Sequence, residues 1–408
     1  MITGITKNLA DYATRRFELS GAEQARRMYP YCIPPEDAIG ASPADEFKSN
    51  FSNYDYLNLR DDKRIHQAAH DAISSLGVGS HASRLVGGER PIHCELEREL
   101  ADFLQVEDTL SLVSGYGTNV ALIGHLLTKG DVVIVDESSH NSVMVGTRLS
   151  RANCITFSHN DLDHLETLLR KNRHTYNRAL VVVEGLYSMD GDIPDLPRLI
   201  EICRAHNVWL MIDEAHSIGV LGASGRGLTE YFGIDRSQID LIVGTLSKAF
   251  LSCGGFVAGK SEIIEWLRYT LPGHVYSVGI SPANAAVARC AIQILRKEKI
   301  RLAQVDENSK YFLRRAKSLD LNVGSAIGSA VIPIRFPDIE ATIDAANTAL
   351  RCGHYVPPIV QIAVPTDAPR LRFFVTAAHT KSQIDGVLQS LVPSENRRTA
   401  DLELSATS

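Results

Sequence analysis

ALVVVEGLYSMDGDIPDLPRLIEICRAHNVWLMIDEAH, residues 179–216, holds two short apolar runs, ALVVVEG and VWLMIDE, with a helical segment between them. Each run reads as a short buried strand. The same unit recurs on both sides. DTLSLVS, DVVIVDE and ITFSH come before it and LIVGTLS comes after, all separated by helical segments. Strands that alternate with helices from about residue 110 to 250 predict an α/β fold. Its sheet is mainly parallel, with helices on both faces.

Outside this block the texture changes. Residues 1–45 are polar, with helical character over 7–28 and a proline-rich stretch, YPYCIPPEDAIGASP, and read as an N-terminal arm. A strand is expected near Phe47–Phe51. DKRIHQAAHDAISSLG (62–77) reads as a helix ending at its glycine, and PIHCELERELADFLQ (91–105) as another with an apolar stripe. From about 285 a single long helix is expected over 284–319, followed by SAVIPIRF, a helix near 338–351 and RLRFFVT. The division that follows is an arm (1–45), a large domain (46–285), a small C-terminal α+β domain (286–395) and a disordered tail (396–408). No internal repeat is visible.

Composition narrows the function classes. The chain has 408 residues, 44% hydrophobic and 22% charged, which suits a globular protein with a sizeable core. Its net charge of −6, with no basic stripe or tail, argues against nucleic-acid and membrane-surface roles. Seven cysteines stand singly without a CxxC, so they read as reduced thiols rather than a disulfide framework. The N-terminus has no apolar signal segment, and no run reaches the roughly eighteen apolar residues of a membrane span. A cytoplasmic protein is expected.

A parallel sheet places its ligand beyond the carboxyl ends of its strands. There the sequence presents Gly115-Tyr116-Gly117-Thr118-Asn119, Ser138-Ser139-His140, Tyr187-Ser188, Asp213-Glu214-Ala215-His216 and Thr245 with Lys248. Singly, each has an ordinary use: a turn, a cap, a solvated charge. Together they change the reading. A metal site would use the acid and the histidines, but no HExxH and no cysteine pair supports one. GVGSHA (77–82) matches a dinucleotide pattern by letter only, since it follows a helix and not a strand. A lysine, a lone aspartate and a hydroxyl- and glycine-bearing loop suit pyridoxal 5'-phosphate (PLP). The lysine amine binds its aldehyde, the carboxylate partners the ring nitrogen, and backbone N–H groups at a helix N-terminus hold its phosphate.

Seven stretches carry a resemblance: NYDYLNL (53–59), SRLVGGERPIHCELERELADF (83–103), SGYGTN (114–119), EGLYSMDGD (184–192), DEAHSIGVLGASGRG (213–227), GTLSKAF (244–250) and RLRFFVTAAHT (370–380). Through them the chain resembles the α-oxoamine synthase family, fold-type I PLP-dependent transferases, over about residues 47–390. The resemblance implies a seven-stranded-type sheet sandwiched by helices, PLP as cofactor, and site roles residue by residue. Lys248 matches the cofactor-bound lysine and α-proton base, Asp213 the pyridinium partner, His216 the donor to the ring oxygen and His140 the imidazole stacked on the ring. Gly115, Tyr116 and Thr245 match phosphate contacts, and Ser188 a ring-side hydroxyl. Ser277 matches a phosphate ligand given by the other subunit, which implies a homodimer with shared active sites. Arg372 matches the arginine that binds the amino-acid carboxylate.

The implied reaction joins an amino acid to an acyl thioester, carried by coenzyme A or an acyl carrier protein. It releases carbon dioxide and free thiol and yields an α-aminoketone. Tyr54 stands where the serine-using branch also has tyrosine, so serine or alanine is favoured, with a glycine-using member as the alternative. Asn58 replaces a usual glycine, Leu251 a usual small residue, and Gly87-Gly88-Glu89-Arg90 follows no one subfamily. Three rivals have discriminating features. A non-catalytic partner subunit would lack Lys248. A cofactor-binding transcription regulator would need a basic DNA-binding domain. An aminotransferase would release no thiol.

Overall fold

All six apolar runs are strands, and a seventh strand joins them. The computed structural model describes residues 8–19, 48–359 and 369–392. In chain order the first half holds α1 (Leu9–Leu19), β1 (Ser49–Asn50), α2 (Lys63–Leu76), α3 (Pro91–Leu104), β2 (Asp108–Leu112), α4 (Gly115–Leu126), β3 (Val132–Asp136), α5 (Asn141–Ser150), β4 (Asn153–Phe157), α6 (Leu162–Asn172), β5 (Ala179–Glu184), α7 (Leu196–Ala205), β6 (Trp209–Asp213), α8 (Leu228–Phe232), β7 (Leu241–Thr245) and β8 (Gly255–Gly259). Then come α9 (Ser261–Thr270), α10 (Pro272–Val275), α11 (Pro282–Lys297), α12 (Lys299–Ser318), β9 (Val331–Arg335), α13 (Ile339–Arg351), β10 (His354–Tyr355), β11 (Pro358–Ile359), β12 (Arg370–Phe374) and α14 (Lys381–Leu391).

The main sheet has the order β2-β8-β7-β6-β5-β3-β4. Every strand runs the same way except β8, which is antiparallel to both neighbours. The strands alternate between two cores. Val181 and Val183 of β5 face one, Leu180 and Val182 the other. Both faces of the central strands β3 and β5 are dry, which is why those runs are almost wholly apolar rather than alternating with polar residues.

Strand β8 is the one that no apolar run announced, because its stretch opens on Gly254-Gly255, a pair that looks like a turn. Its glycines serve close packing. A Cβ on Gly255 would stand 2.6 Å from Gly115 Cα, and one on Gly244 of β7 would stand 2.4 Å from the Phe256 ring. The two strands and the start of α4 can approach only because those side chains are missing.

One correction concerns the long helix expected over 284–319. It is two helices, broken at Glu298 (φ −117°, ψ 69°). No glycine or proline marks the break. The Glu298 carboxylate is held by Arg64 of α2 and by Arg301, and Arg301 Nη1 also donates to the Asn58 carbonyl at 2.6 Å. Helix α11 buries Ala285, Ala288, Ile292 and Leu295 in the main core. Helix α12 turns Phe312 and Ala316 toward another core, built by the antiparallel sheet β11-β12-β9 with α13 and α14. There Phe51 stacks on His379 (4.1 Å between centroids) and meets Phe373 edge-on at 5.4 Å.

The strand expected near 47–51 is only Ser49–Asn50, parallel to β10. Of the helical character expected over 7–28, α1 covers Leu9–Leu19. The proline-rich part of the arm and the expected tail lie outside the described residues. Among the described residues no helix is long and apolar enough to cross a membrane.

Candidate active site

At the carboxyl end of the main sheet lies a cavity of about 250 Å³. Eight residues singled out from the sequence line it: Gly115, Tyr116, His140, Ser188, Asp213, His216, Thr245 and Lys248. They come from α4, α5 and the ends of β5, β6 and β7.

Asp213 ends β6 and is buried. Asn119 Nδ2 donates to its Oδ2 at 2.7 Å, and the Ala215 N–H donates to its Oδ1 at 3.0 Å. The same Asn119 Nδ2 donates to Ser142 Oγ at 3.0 Å, and Ser142 Oγ stands 2.7 Å from His140 Nδ1. Asp213 and His140 are therefore aimed by one shared polar chain. Burial pushes the His140 imidazole below its ordinary pKa, against the pull of the Asp213 charge.

His216 is held from behind. Tyr56 is fully buried, and burial keeps its phenol protonated well above the usual range. Its hydroxyl stands 2.8 Å from His216 Nδ1, and a phenol donating there leaves Nε2 to carry the imidazole proton. Burial, then the charges of Lys248 and Arg372, hold His216 well below its ordinary pKa, so it is neutral. Its ring stacks on Phe374 at 8° between planes.

Lys248 follows β7 and makes no hydrogen bond among the described residues. Its Nζ stands 5.6 Å from the centroid of the Tyr54 ring. Burial lowers its pKa, while Asp213 and Glu184 oppose the shift. An amine so placed spends more time neutral, the form that attacks an aldehyde. Glu184, at the end of β5, also lines the cavity. Burial, then the neighbouring Asp213 charge, raises its pKa, and its Oε1 has no partner.

Helix α4 points its N-terminus at the cavity, with Ser114 Oγ accepting from the Gly117 N–H at 3.1 Å. The first N–H groups of a helix have no partner within it. Gly115 keeps that end against β7, since a Cβ there would meet Thr245 Oγ1 at 2.8 Å. Thr245 Oγ1 is 2.7 Å from Ser247 Oγ, which puts two hydroxyls beside those N–H groups.

Three expected residues stand elsewhere. Tyr54 is no wall of this cavity; with Lys248 it lines a neighbouring one. Arg372 lies behind Ser188, whose carbonyl accepts from its Nη1 at 3.2 Å, and its guanidinium sits 4.6 Å from the Phe374 ring centroid. Its Nε is buried without a partner, and no carboxylate among the described residues pairs with it. Ser277 lies apart from the cavity, between Tyr276 (86% exposed) and Val278 (56% exposed). Conversely, Ser142, Tyr56, Glu184 and Ser247 belong to the site without having been singled out, and Asn119 was named at its strand end without a role. Tyr56, Glu184 and Ser247 sit inside the quoted motifs, which was their only signal.

The walls fit PLP on three counts. A carboxylate fixed by two donors faces an uncommitted lysine, a helix N-terminus with adjacent hydroxyls offers an anion cradle, and a neutral imidazole is free to cover a ring.

The sequence profile described as aminotransferase class I and II matches residues 47–391. An 8-amino-7-oxononanoate synthase of Thermoanaerobacter pseudethanolicus is 37% identical, over 84% of this chain and 86% of that protein. A serine palmitoyltransferase of Bacteroides thetaiotaomicron is 33% identical, over 92% of this chain and 95% of that one. The solved serine palmitoyltransferase of S. paucimobilis, with PLP and myriocin bound, superposes with a TM-score of 0.81 at 29% identity, covering 86% of this chain and 88% of that one. The chain belongs to the aminotransferase class I and II family and, within it, to the α-oxoamine synthases, PLP-dependent acyltransferases.

Proposed function

We propose that this enzyme condenses serine or alanine with an acyl thioester, releasing carbon dioxide and free thiol and giving an α-aminoketone. The observation that carries the reading is Lys248, without a hydrogen bond among the described residues, in one cavity with Asp213, while no carboxylate among the described residues pairs with Arg372. Lys248 would hold the cofactor, and its amine would move the α-proton once an amino acid is bound. Asp213 keeps a proton on the ring nitrogen, and the cofactor, when bound, supplies the electron sink for the deprotonated carbon. His216 Nε2–H donates to the ring oxygen, and His140 covers one face. Arg372 offers its guanidinium fork to the amino-acid carboxylate. Gly115, Tyr116 and Thr245 hold the phosphate, and Ser188 offers a hydroxyl beside the ring.

Tyr54 supports an amino acid with a β-carbon. Its hydroxyl is uncommitted, and its ring lies over the Lys248 amine. It can donate to a serine hydroxyl or pack on an alanine methyl. The names of the relatives point the same way. One contains serine, and the other names a product whose amine sits on the penultimate carbon, which leaves a terminal methyl. A glycine-using enzyme is the second reading. Thiol release with glycine, alanine, serine and 2-aminobutyrate in competition tests it, and a wide margin for glycine would refute the preference.

A homodimer that lends Ser277 to the partner's phosphate site belongs to the same proposal. Val86, 75% exposed, adds an apolar side chain close to Tyr276 and Val278, and the Ser83–Val278 bridge joins the two segments. A second copy would cover that patch. Sedimentation gives the oligomeric state, and Ser277→Ala is expected to weaken cofactor retention.

A further inference from the structure

A second cavity, of about 440 Å³, shares Ser247 and Lys248 with the cofactor cavity. One wall is the 49–61 segment, including Tyr54; another is Leu251. Its polar groups are unevenly committed. Asn50 and Asn53 use their Oδ1 atoms within their own loop, while their Nδ2 groups, and the whole side chain of Asn58, make no hydrogen bond among the described residues. Three amide donors at one cavity are the counterpart of a ligand bearing carbonyl oxygens.

Leu251 is unusual in its backbone. Its φ is 51°, in the left-handed region, where a residue with a branched side chain costs about 1–2 kcal/mol. The turn holds it there. The Leu251 N–H donates to the Lys248 carbonyl at 2.9 Å, and the Ser252 N–H donates to the Leu246 carbonyl at 2.8 Å. The same turn thus carries the lysine at one end and, three residues on, a bulky side chain that packs partly on the main core and partly lines the second cavity. Glycine would adopt this conformation without strain. Strain kept at a functional site is a reason to look for a function of the side chain that causes it.

The reaction brings two substrates to one lysine. The cofactor takes the first cavity, while Tyr54, which would meet the amino-acid side chain, and Leu251 both line the second, so the two substrates meet Lys248 on the side where Leu251 stands. We propose that the second cavity receives the arm of the acyl donor, a thioester whose chain carries amide carbonyls, and that Leu251 determines which acyl groups can stand beside Lys248. This rests on the acyl-transfer reading above.

The test uses the holoenzyme, Leu251→Ala, Leu251→Gly and the double variant Asn53→Ala/Asn58→Ala. Thiol release is measured with acetyl-, octanoyl- and palmitoyl-coenzyme A, and with the same acyl groups on ethanethiol, which has no amide. Both Leu251 variants are expected to shift the ratio of kcat/KM between long and short chains on the order of tenfold, the discrimination a methylene or two supplies. The asparagine variant is expected to raise KM several-fold for the coenzyme A thioesters and to leave the ethanethiol esters unaffected. An unchanged acyl profile in both Leu251 variants overturns the role of Leu251. A KM that rises equally for both thiols, or not at all, overturns the cavity assignment. Leu251→Gly relieves the strain, so it guards against a variant that fails to fold. The change in cofactor absorbance when serine or alanine is added is recorded on the same samples. Its absence from the wild type, or thiol release from no thioester, counts against the acyl-transfer reading instead.

Discussion

At the scale of single residues the proposed roles separate groups that would touch the cofactor from groups that aim them. Lys248 has no substitute among the cavity walls, so Lys248→Ala is expected to fold, to show no turnover, and to lose borohydride fixation of the cofactor to the chain. Trapping on another lysine would contradict the assignment. Asp213→Asn keeps the side chain's size but loses the charge and one of the two acceptor oxygens that meet Asn119 and the Ala215 N–H, and turnover is expected to fall by roughly two or more orders of magnitude with some cofactor retained. Tyr56 acts only through His216. Tyr56→Phe removes the donor that fixes the His216 tautomer, and kcat is expected to fall roughly three- to tenfold, the worth of one neutral hydrogen bond. The absorbance of the bound cofactor should shift with it, which a purely structural role would not cause.

At the scale of elements, strand ends are tied together by specific polar clamps. His159 Nδ1 lies 2.8 Å from Asp136 of β3 and Nε2 lies 3.1 Å from Asp192, and Ser325 Oγ donates to Asp192 from the segment before β9. Burial opposes the charge on His159, but the two carboxylates prevail and its pKa rises to about 10. A raised folded-state value means stability that is complete below the unfolded value of about 6.5 and fades as pH climbs through the folded one. Urea midpoints should therefore decline from about pH 7 to 10, and His159→Gln should flatten that decline. Gly115→Ala would drive α4 off β7, and weaker cofactor retention, read by dialysis, is its expected sign. These clamps also explain what the sequence made legible. The central strands were readable because both their faces are apolar, and the helix ends at Asp62 and Gly77 because cap chemistry is local. Strand β8 was hidden because its glycines look like turn residues. The break at Glu298 was hidden because ion pairs to residues far along the chain cause it. Asn119 and Tyr56 stayed unread because what they do depends on a partner that only folding brings near.

At the scale of the whole molecule, the largest commitment of charge is buried away from the cavity. Glu97 of α3 accepts from Arg84, which is 4% exposed, and from Arg268 Nη1 at 2.7 Å; the Ser111 N–H of β2 donates to it at 2.8 Å. This single carboxylate joins α3, the turn at 84–86, β2 and α9. Glu97→Ala removes the buried carboxylate that Arg84 and Arg268 share and leaves them only the more exposed Glu89 and Asp108, so unfolding free energy is expected to drop by about 3 kcal/mol in urea titrations. The antiparallel course of β8 has its own consequence. Because the chain doubles back directly after Lys248, the lysine is mounted on the bend of a hairpin. Its two legs are laced by the Leu246 N–H donating to the Gly254 carbonyl at 2.9 Å and by the whole β7–β8 ladder. A bracket anchored on both sides cannot swing. Motion during turnover therefore falls to the lysine's own four-carbon stem and to the parts that face it. Amide protons of Leu246 and Ser252 should exchange as slowly as those of the central strands, with or without substrate.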